Sequence, residues 1–179
     1  MTAATISPSQ DTVYQAIEAF LTGILPTGMP VIRGLPNRAA MPSPSPGFVV
    51  VQTILVNRLR WNIDTWNTTN PAPTALYAEQ GTEVRVQIDC YGASSSDYAT
   101  MIGTLWRDSY GCVALAPNCQ PLYADEARMV PLIDSEQQYE ERWMIDARLQ
   151  WNPITTYPQT FTGTPASVDL VNVNATYPP

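Results

Sequence analysis

The chain has 179 residues, of which only 14% are charged and 17 are proline. It contains no histidine, and its nine basic residues are all arginine, which excludes histidine-based catalysis, most zinc sites and lysine-dependent chemistry. Sixteen acidic residues bring the formal net charge to −7, a balance that repels nucleic-acid phosphates.

We assign residues 1–179 to a single domain, since a domain usually spans roughly 100–200 residues. No segment approaches the length of a membrane span, and the first residues lack the pattern of a secretory signal. The three cysteines, Cys90, Cys112 and Cys119, are odd in number and form no C-x-x-C pair. We therefore expect free thiols in a reducing compartment.

Residues 7–25 are predicted to form an amphipathic helix, because apolar residues from Val13 to Ile24 recur at helical spacing. Ser7 is a candidate N-cap, and Ser9 is nearly as suitable.

A proline-rich segment follows at 26–47, with six prolines and little periodicity. Because no second domain follows, we interpret this segment as an ordered loop or arm that lies on a neighbouring molecule, in preference to a flexible linker. Within it, Met29–Arg33 is a candidate for a short strand.

Strands are predicted over 48–91. Phe48–Val56 is rich in β-branched residues and should be buried on much of both faces. The alternation over 59–65, which includes Trp61 on its apolar side, predicts a second strand or a continuation past a bulge. Glu83–Tyr91 alternates without a break, as expected for a half-buried antiparallel strand.

The rest of the chain is predicted to contain a helix over 94–110, a long loop over 113–137, a strand over 138–152 and a C-terminal arm over 153–179. The apolar patch at 168–173 in this arm suits a short edge strand or a docking segment.

The order of elements predicts an α+β fold, with an antiparallel (mixed) sheet, two main helices packed on one face and long proline-rich loops. Core packing accounts for four of the five tryptophans, which leaves Trp66 as a candidate surface anchor. The core tryptophans are Trp61, Trp106, Trp143 and Trp151.

No catalytic, cofactor-binding or metal-binding set is evident. A cysteine nucleophile lacks a histidine base, and no EF-hand spacing occurs. A carboxylate-based hydrolase would need its acids from Asp125–Glu126 or from 134–141, which we favour as a solvated face or as the acidic half of an interface. Arg58, Arg60 and Trp61 form a short basic–aromatic stretch, but the acidic balance disfavours single-strand nucleic-acid binding.

Several stretches, distributed in order over nearly the whole chain, resemble the neck or tail terminator proteins of tailed bacteriophages. They are VIRGLPNRAAMP at 31–42, GFVVVQTILVNRLRWNIDTW at 47–66, VQIDCYG at 86–92, TLWRDSYGC at 104–112, PLYADEARMVPLIDSEQQYEERW at 121–143 and LVNVNATYPP at 170–179.

The resemblance implies a structural α+β subunit without enzymatic activity or cofactor, in the neck of the virion and assembled in the host cytoplasm. It implies a homo-oligomeric ring, most often a hexamer, that caps the tail tube and joins it to the head-tail connector or collar. The tail sheath is a further candidate partner, and DNA would pass through the lumen without specific binding. The alternatives are another neck component, such as a head-completion or tube protein, and a carboxylate-based envelope hydrolase.

For such a ring, we expect the loops 26–47 and 113–137 to reach axial neighbours, and the sheet edges and residues 168–179 to contact lateral neighbours. Candidate interface residues are Arg38, Tyr123, Asp125 and Arg128. An acidic lumen wall would let DNA slide without sticking.

Overall fold

The computed structural model describes residues 3–34, 42–43, 45–66, 75–133 and 139–158, and in this part of the chain it contains three helices and twelve strands. The helices are α1 (Gln10–Ile24), α2 (Ser95–Trp106) and α3 (Ser109–Leu115). The strands are β1 (Thr5–Ser7), β2 (Val31–Arg33), β3 (Phe48–Arg58), β4 (Ile63–Trp66), β5 (Ala75–Glu79), β6 (Thr82–Tyr91), β7 (Gln120–Ala124), β8 (Arg128–Met129), β9 (Leu132–Ile133), β10 (Tyr139–Glu140), β11 (Arg142–Trp151) and β12 (Ile154–Pro158).

A six-stranded sheet forms the centre of the fold. Its order is β2-β3-β6-β11-β7, and β8 also pairs with β11. The long strands β3, β6 and β11 pair antiparallel, whereas the short β2 runs parallel to β3. The sheet is therefore mixed, and the predicted α+β class is confirmed.

The three helices cover one face of this sheet. Alternate residues of β6, from Val84 to Cys90, point into a single core with the apolar stripe of α1 and with residues of α2 and α3. Trp106 lies at the centre of this core. Its ring meets that of Phe20 edge-on with the centroids 5.6 Å apart, and its Nε1–H donates to the Arg148 carbonyl at 3.1 Å. The alternation in the sequence thus produces a sheet with one covered face.

A four-stranded sheet, in the order β1-β12-β5-β4, continues the first sheet beyond a bend. Strands β3, β6 and β11 connect to β4, β5 and β12 through only two to four residues. The bend is held by main-chain hydrogen bonds from Leu59 to Gly81 at 2.9 Å and from Gln80 to Pro153 at 3.0 Å. The strand order is therefore kept across the bend, with β1 at one edge of the second sheet.

Four expectations need correction in the first half of the chain. Helix α1 is capped by Ser9, whose Oγ accepts from the Thr12 N–H at 3.3 Å, while Ser7 belongs to β1. Strand β3 is buried only over its first four residues, because beyond the bulge at 53–55 neither face is covered. Trp61 is 88% exposed and is not a core residue. Strand β5 has no counterpart among the individual strands named from the sequence.

The second half differs from expectation mainly at the predicted long loop. The segment 113–137 contains the end of α3 and the strands β7, β8 and β9, and the predicted helix over 94–110 is divided into α2 and α3. The predicted C-terminal arm begins with β12. Residues 35–41 and 44 of the proline-rich segment lie outside the described part of the chain, as do residues 159–179 with the apolar patch predicted at 168–173.

Candidate assembly surfaces

The face of the six-stranded sheet opposite the helices carries alternating charged side chains. On β6 these include Arg85 and Asp89, and on β11 they include Arg142, Asp146 and Arg148. Because side chains alternate between faces along a strand, the apolar core residues and these charged residues come from the same two strands. The open face therefore carries a polar surface built directly on the core. Beside it lies a small buried apolar cluster of Phe48, Val50 and Tyr91.

Asp146 is the centre of the first charge cluster, with a side chain only 2% exposed. Its Oδ2 accepts from Arg85 at 2.6 Å and from Arg128 at 3.1 Å. The hydrogen bond and the charge of Asp146 raise the pKa of Arg85. Two guanidinium groups thus compensate one buried carboxylate, an arrangement that fixes the side chains of β6, β8 and β11 relative to each other.

Asp89 is the centre of a second cluster near the other end of β6. It accepts from Arg142 at 2.9 Å and from the amide of Gln87 at 2.8 and 3.0 Å. Burial alone would lower the pKa of Arg142, but the hydrogen bond and charge of Asp89 outweigh it, and the pKa is raised. Beside this pair, the rings of Tyr91 and Phe48 stack with their centroids 4.4 Å apart.

Three of the four candidate interface residues lie around the first cluster, at the β7–β8 edge of the sheet. Tyr123 is half exposed, with the Arg107 guanidinium 5.0 Å from its ring centroid. Asp125 donates its main-chain N–H to the Asp146 carbonyl at 2.8 Å, and Arg128 pairs with the Asp146 side chain. The fourth candidate, Arg38, lies outside the described residues.

A second surface lies where β3 leaves the core and approaches the bend. Leu55, Val56 and Leu59 are each about half exposed, and Trp61 is almost fully exposed. Residues 58–61 line an open concavity of about 340 Å³. Large apolar side chains grouped in this way on a surface are typical of a contact with another molecule.

The described residues offer little for covalent or metal chemistry. Burial raises the pKa of the Cys90 thiol to about 12 and that of Cys119 to about 11, so both stay protonated at neutral pH. No group of three or more His, Cys, Asp or Glu in the described ranges is arranged to hold a metal ion. No described helix has both the length and the apolarity needed to cross a membrane.

Sequence reasoning missed the two buried carboxylates, Asp89 and Asp146, and their arginine partners. The available signal was the alternation of opposite charges along the polar side of β6 and β11, from Arg85 to Asp89 and from Arg142 to Asp146. That pattern is also typical of a solvated strand face, and only the pairing register brings the opposite charges together.

Comparison with known families identifies the class of protein. The family model described as phage neck terminator protein matches residues 11–177, nearly the whole chain, so the chain belongs to that family. The resemblance to neck terminator proteins seen in the sequence is thereby confirmed.

Among solved structures, the chain is similar to the sheath/tube terminator of an extracellular contractile injection system (PVC), determined by cryo-EM in the extended state. The match has 12% sequence identity and a TM-score of 0.54, and it covers 94% of this chain and 65% of that chain. The likeness shows a shared fold, and this chain spans about 65% of the length of that terminator. No curated protein matches the chain.

Proposed function

We propose that copies of this chain form a closed ring, most often a hexamer, that sits on the last ring of the tail tube and joins it to the head-tail connector. The observation that carries the proposal is the family match over 11–177. A tube grows because each ring offers the next a complementary face, and a terminator ends growth by binding that face without offering it again.

The surfaces of the described chain suit this role. A ring subunit has lateral and axial neighbours, and several modest contacts per ring add up to a stable junction. Two surfaces are available at opposite edges of the six-stranded sheet: the exposed end of β3 and the β7–β8 edge with Tyr123, Asp125 and Arg128. We assign lateral contacts to these edges and axial contacts to the proline-rich segment 26–47. The segment 113–137, which we expected from the sequence to be axial, is reassigned to the lateral contacts because it forms β7 and β8 at the sheet edge.

The ring acts by shape and charge and not by catalysis. The buried thiols are held protonated, and the acidic residues Asp89 and Asp146 are bound to arginine. The four arginines of the open face are each paired with a carboxylate, which leaves them poorly placed to hold phosphates. This pairing and the net charge of −7 support a lumen through which DNA passes without specific binding.

The ring joins the tube to the connector or collar, and the sheath is a further partner. The terminator of similar fold is described as a terminator of both sheath and tube, which supports this extension. We place its assembly in the host cytoplasm.

Particles produced without the chain, with a wild-type copy supplied in trans as control, test the proposal by electron microscopy. We expect tails of uneven or excess length that fail to join DNA-filled heads, and uniform joined tails when the copy is supplied. Tails of normal length on filled heads in its absence would falsify the terminator role.

Purified protein mixed with isolated tail tubes separates the alternatives. We expect one ring at one end of each tube. A ring that binds only isolated heads would favour a head-completion protein, and release of peptidoglycan fragments by the purified protein would favour an envelope hydrolase.

A further inference from the structure

The exposed end of β3 has no strand beside it on its outer side in the described part of the chain. Strand β2 pairs only with Val49–Val51, although β3 continues to Arg58. We define the β3 surface as Leu55, Val56, Arg58, Leu59, Arg60 and Trp61. Its apolar members are exposed, and its concavity of about 340 Å³ is open to the outside.

A second surface with exposed apolar side chains lies at the opposite edge of the same sheet. Strand β7 pairs with β11 on one side, and α3 packs next to β7. We define the β7 surface as Asp108, Val113, Leu122, Tyr123, Asp125 and Glu126. Val113 is 77% exposed, and Leu122 and Tyr123 are about half exposed.

The two surfaces lie in the same half of the sheet. In the pairing register across β11 and β6, Gln120 lies level with Asn57, and Ala124 lies level with Thr53. Strand β7 is thus level with the part of β3 that β2 leaves uncovered. The three intervening strand pairings are antiparallel, so β3 and β7 run in opposite directions. If β3 of one copy lay beside β7 of another, these two strands would therefore also be antiparallel, as their neighbours within each copy are.

The charges of the two surfaces are complementary. Residues 54–61 contain two arginines and no acid, whereas residues 108–126 contain three acids. Of these, Glu126 is paired with the neighbouring Arg107, whereas Asp108 and Asp125 form no salt bridge with a described arginine. Every described arginine except Arg58 lies within salt-bridge distance of a described carboxylate. The side chain of Arg58 instead donates to the Gln80 amide oxygen at 3.2 Å.

On the acidic side, Asp108 accepts hydrogen bonds from the Tyr110 N–H and the Ser109 hydroxyl, which lower its pKa and keep it ionised. Charge complementarity of this kind orients partners and selects against wrong ones.

We infer that the β3 surface of one copy docks on the β7 surface of the next copy in the ring. This inference rests on the proposed ring and names the lateral contact within it. Such a contact is heterologous, since each copy uses two different surfaces, and it closes when the rotation between copies completes a circle. The complementary charges, the shared level in the sheet and the opposite edges together point to a second copy as the occupant.

Two variants test the docking in solution. Leu59→Asp with Trp61→Ala breaks the β3 surface, and Val113→Asp with Leu122→Ser breaks the β7 surface. Each variant alone should lose the ring and run as a monomer in native mass spectrometry. An equimolar mixture should give a 1:1 pair and nothing larger, because only one intact contact remains between the two variants.

The matched control is Ala93→Asp, which places the same charge on an exposed residue just after Tyr91, at the end of β6 that lies opposite the end level with both surfaces. It should assemble like wild type, and circular dichroism should show all variants folded. Rings of wild-type size from either double variant would overturn the docking. A mixture that forms no pair would do the same.

Cross-linking in assembled particles tests the contact independently of assembly in solution. In a Cys112→Ser background, Leu55→Cys combined with Leu122→Cys should give a ladder up to the full ring with a bismaleimide. Either cysteine alone should give no cross-linked copies, because unlike residues meet at a heterologous contact. Particles with normal tails but no ladder would overturn the docking and leave the ring proposal standing. Wild-type particles in which electron microscopy shows no ring of this chain at the end of the tube would count against the proposed function instead.

Discussion

The two sheets of the molecule share three continuous stretches of chain but differ in what covers them. In the six-stranded sheet, α2 packs on β6 and β11, α3 packs on β7, and alternate side chains of β6 are fully buried. In the four-stranded sheet, the principal described contacts of β4, β5 and β12 are with one another and with β1. All four residues of β4 and all three of β1 are exposed.

This difference separates stability from assembly. Apolar burial stabilises a fold by roughly 25 cal/mol per Å², so the helix-covered sheet supplies most of the stabilisation. A sheet with little apolar burial contributes less and keeps its side chains available to a partner. Substitutions in the helix-covered core should therefore change the free energy of unfolding, and those at the exposed edges of the six-stranded sheet and near the bend should change assembly.

The sharpest test compares two tryptophans. Trp106→Ala should lower the free energy of unfolding by about 3–5 kcal/mol, because it opens a cavity in the core and leaves the Arg148 carbonyl without its hydrogen-bond donor. Trp61→Ala, at a residue 88% exposed, should change the unfolding free energy by less than about 0.5 kcal/mol. Urea unfolding of the monomer measures both, and equal losses would contradict the division between the helix-covered core and the exposed bend.

A second test compares two ion pairs. Arg85→Ala should cost about 2–3 kcal/mol, because the buried Asp146 carboxylate loses its nearer partner and keeps only Arg128. Arg33→Ala should cost less than about 1 kcal/mol, because both Arg33 and Asp11 are largely exposed. The measurement is again urea unfolding, and a loss at Arg33 as large as that at Arg85 would refute the role of burial.

The tryptophans and the central strand also show how far the sequence predicts the fold. The unbroken alternation from Val84 to Cys90 correctly predicted β6 and its core face, because strict period-2 alternation is typical of a strand with one buried face. Trp61 has the same apolar character as Trp106, and nothing local reveals that the helices stop short of it. Burial at the end of β3 depends on the length of helices elsewhere in the chain.

The site was predicted less completely for the same reason. Tyr123, Asp125 and Arg128 are near one another in sequence, and the structure keeps them together. Asp146, which both Asp125 and Arg128 contact, comes from a strand about twenty residues further on and is reached only through the pairing of β11 with β7 and β8. Long-range pairing of this kind leaves no local pattern.

A third test compares two glycines. A Cβ at Gly111, in α3, would lie 2.7 Å from the Leu105 carbonyl oxygen, so Gly111→Ala must displace main chain in the core and should cost about 1–3 kcal/mol. A Cβ at Gly81, at the bend, would lie 2.6 Å from Arg60 Nε, the flexible part of an exposed side chain. Gly81→Ala should therefore cost less than about 1 kcal/mol. Thermal unfolding of both variants measures the difference, and a larger loss at Gly81 would show that the bend is rigid.

The smallest expected effect is at alkaline pH and again belongs to the covered sheet. Burial raises the pKa of Cys90 from its ordinary value of 9.0 to about 12. Above pH 9 the unfolded chain releases this proton while the folded chain keeps it, so stability falls between pH 9 and 12, by about 1 kcal/mol at pH 10. The Cys90→Ala variant should have a lower free energy of unfolding than wild type at pH 7. Between pH 7 and pH 10, however, its free energy of unfolding should fall by less than that of wild type. Cys112→Ala, at the exposed thiol, should keep the wild-type slope. Urea unfolding at each pH measures how the free energy of unfolding depends on pH in all three proteins. An equal dependence in all three would show that the helices do not shield the Cys90 thiol from solvent.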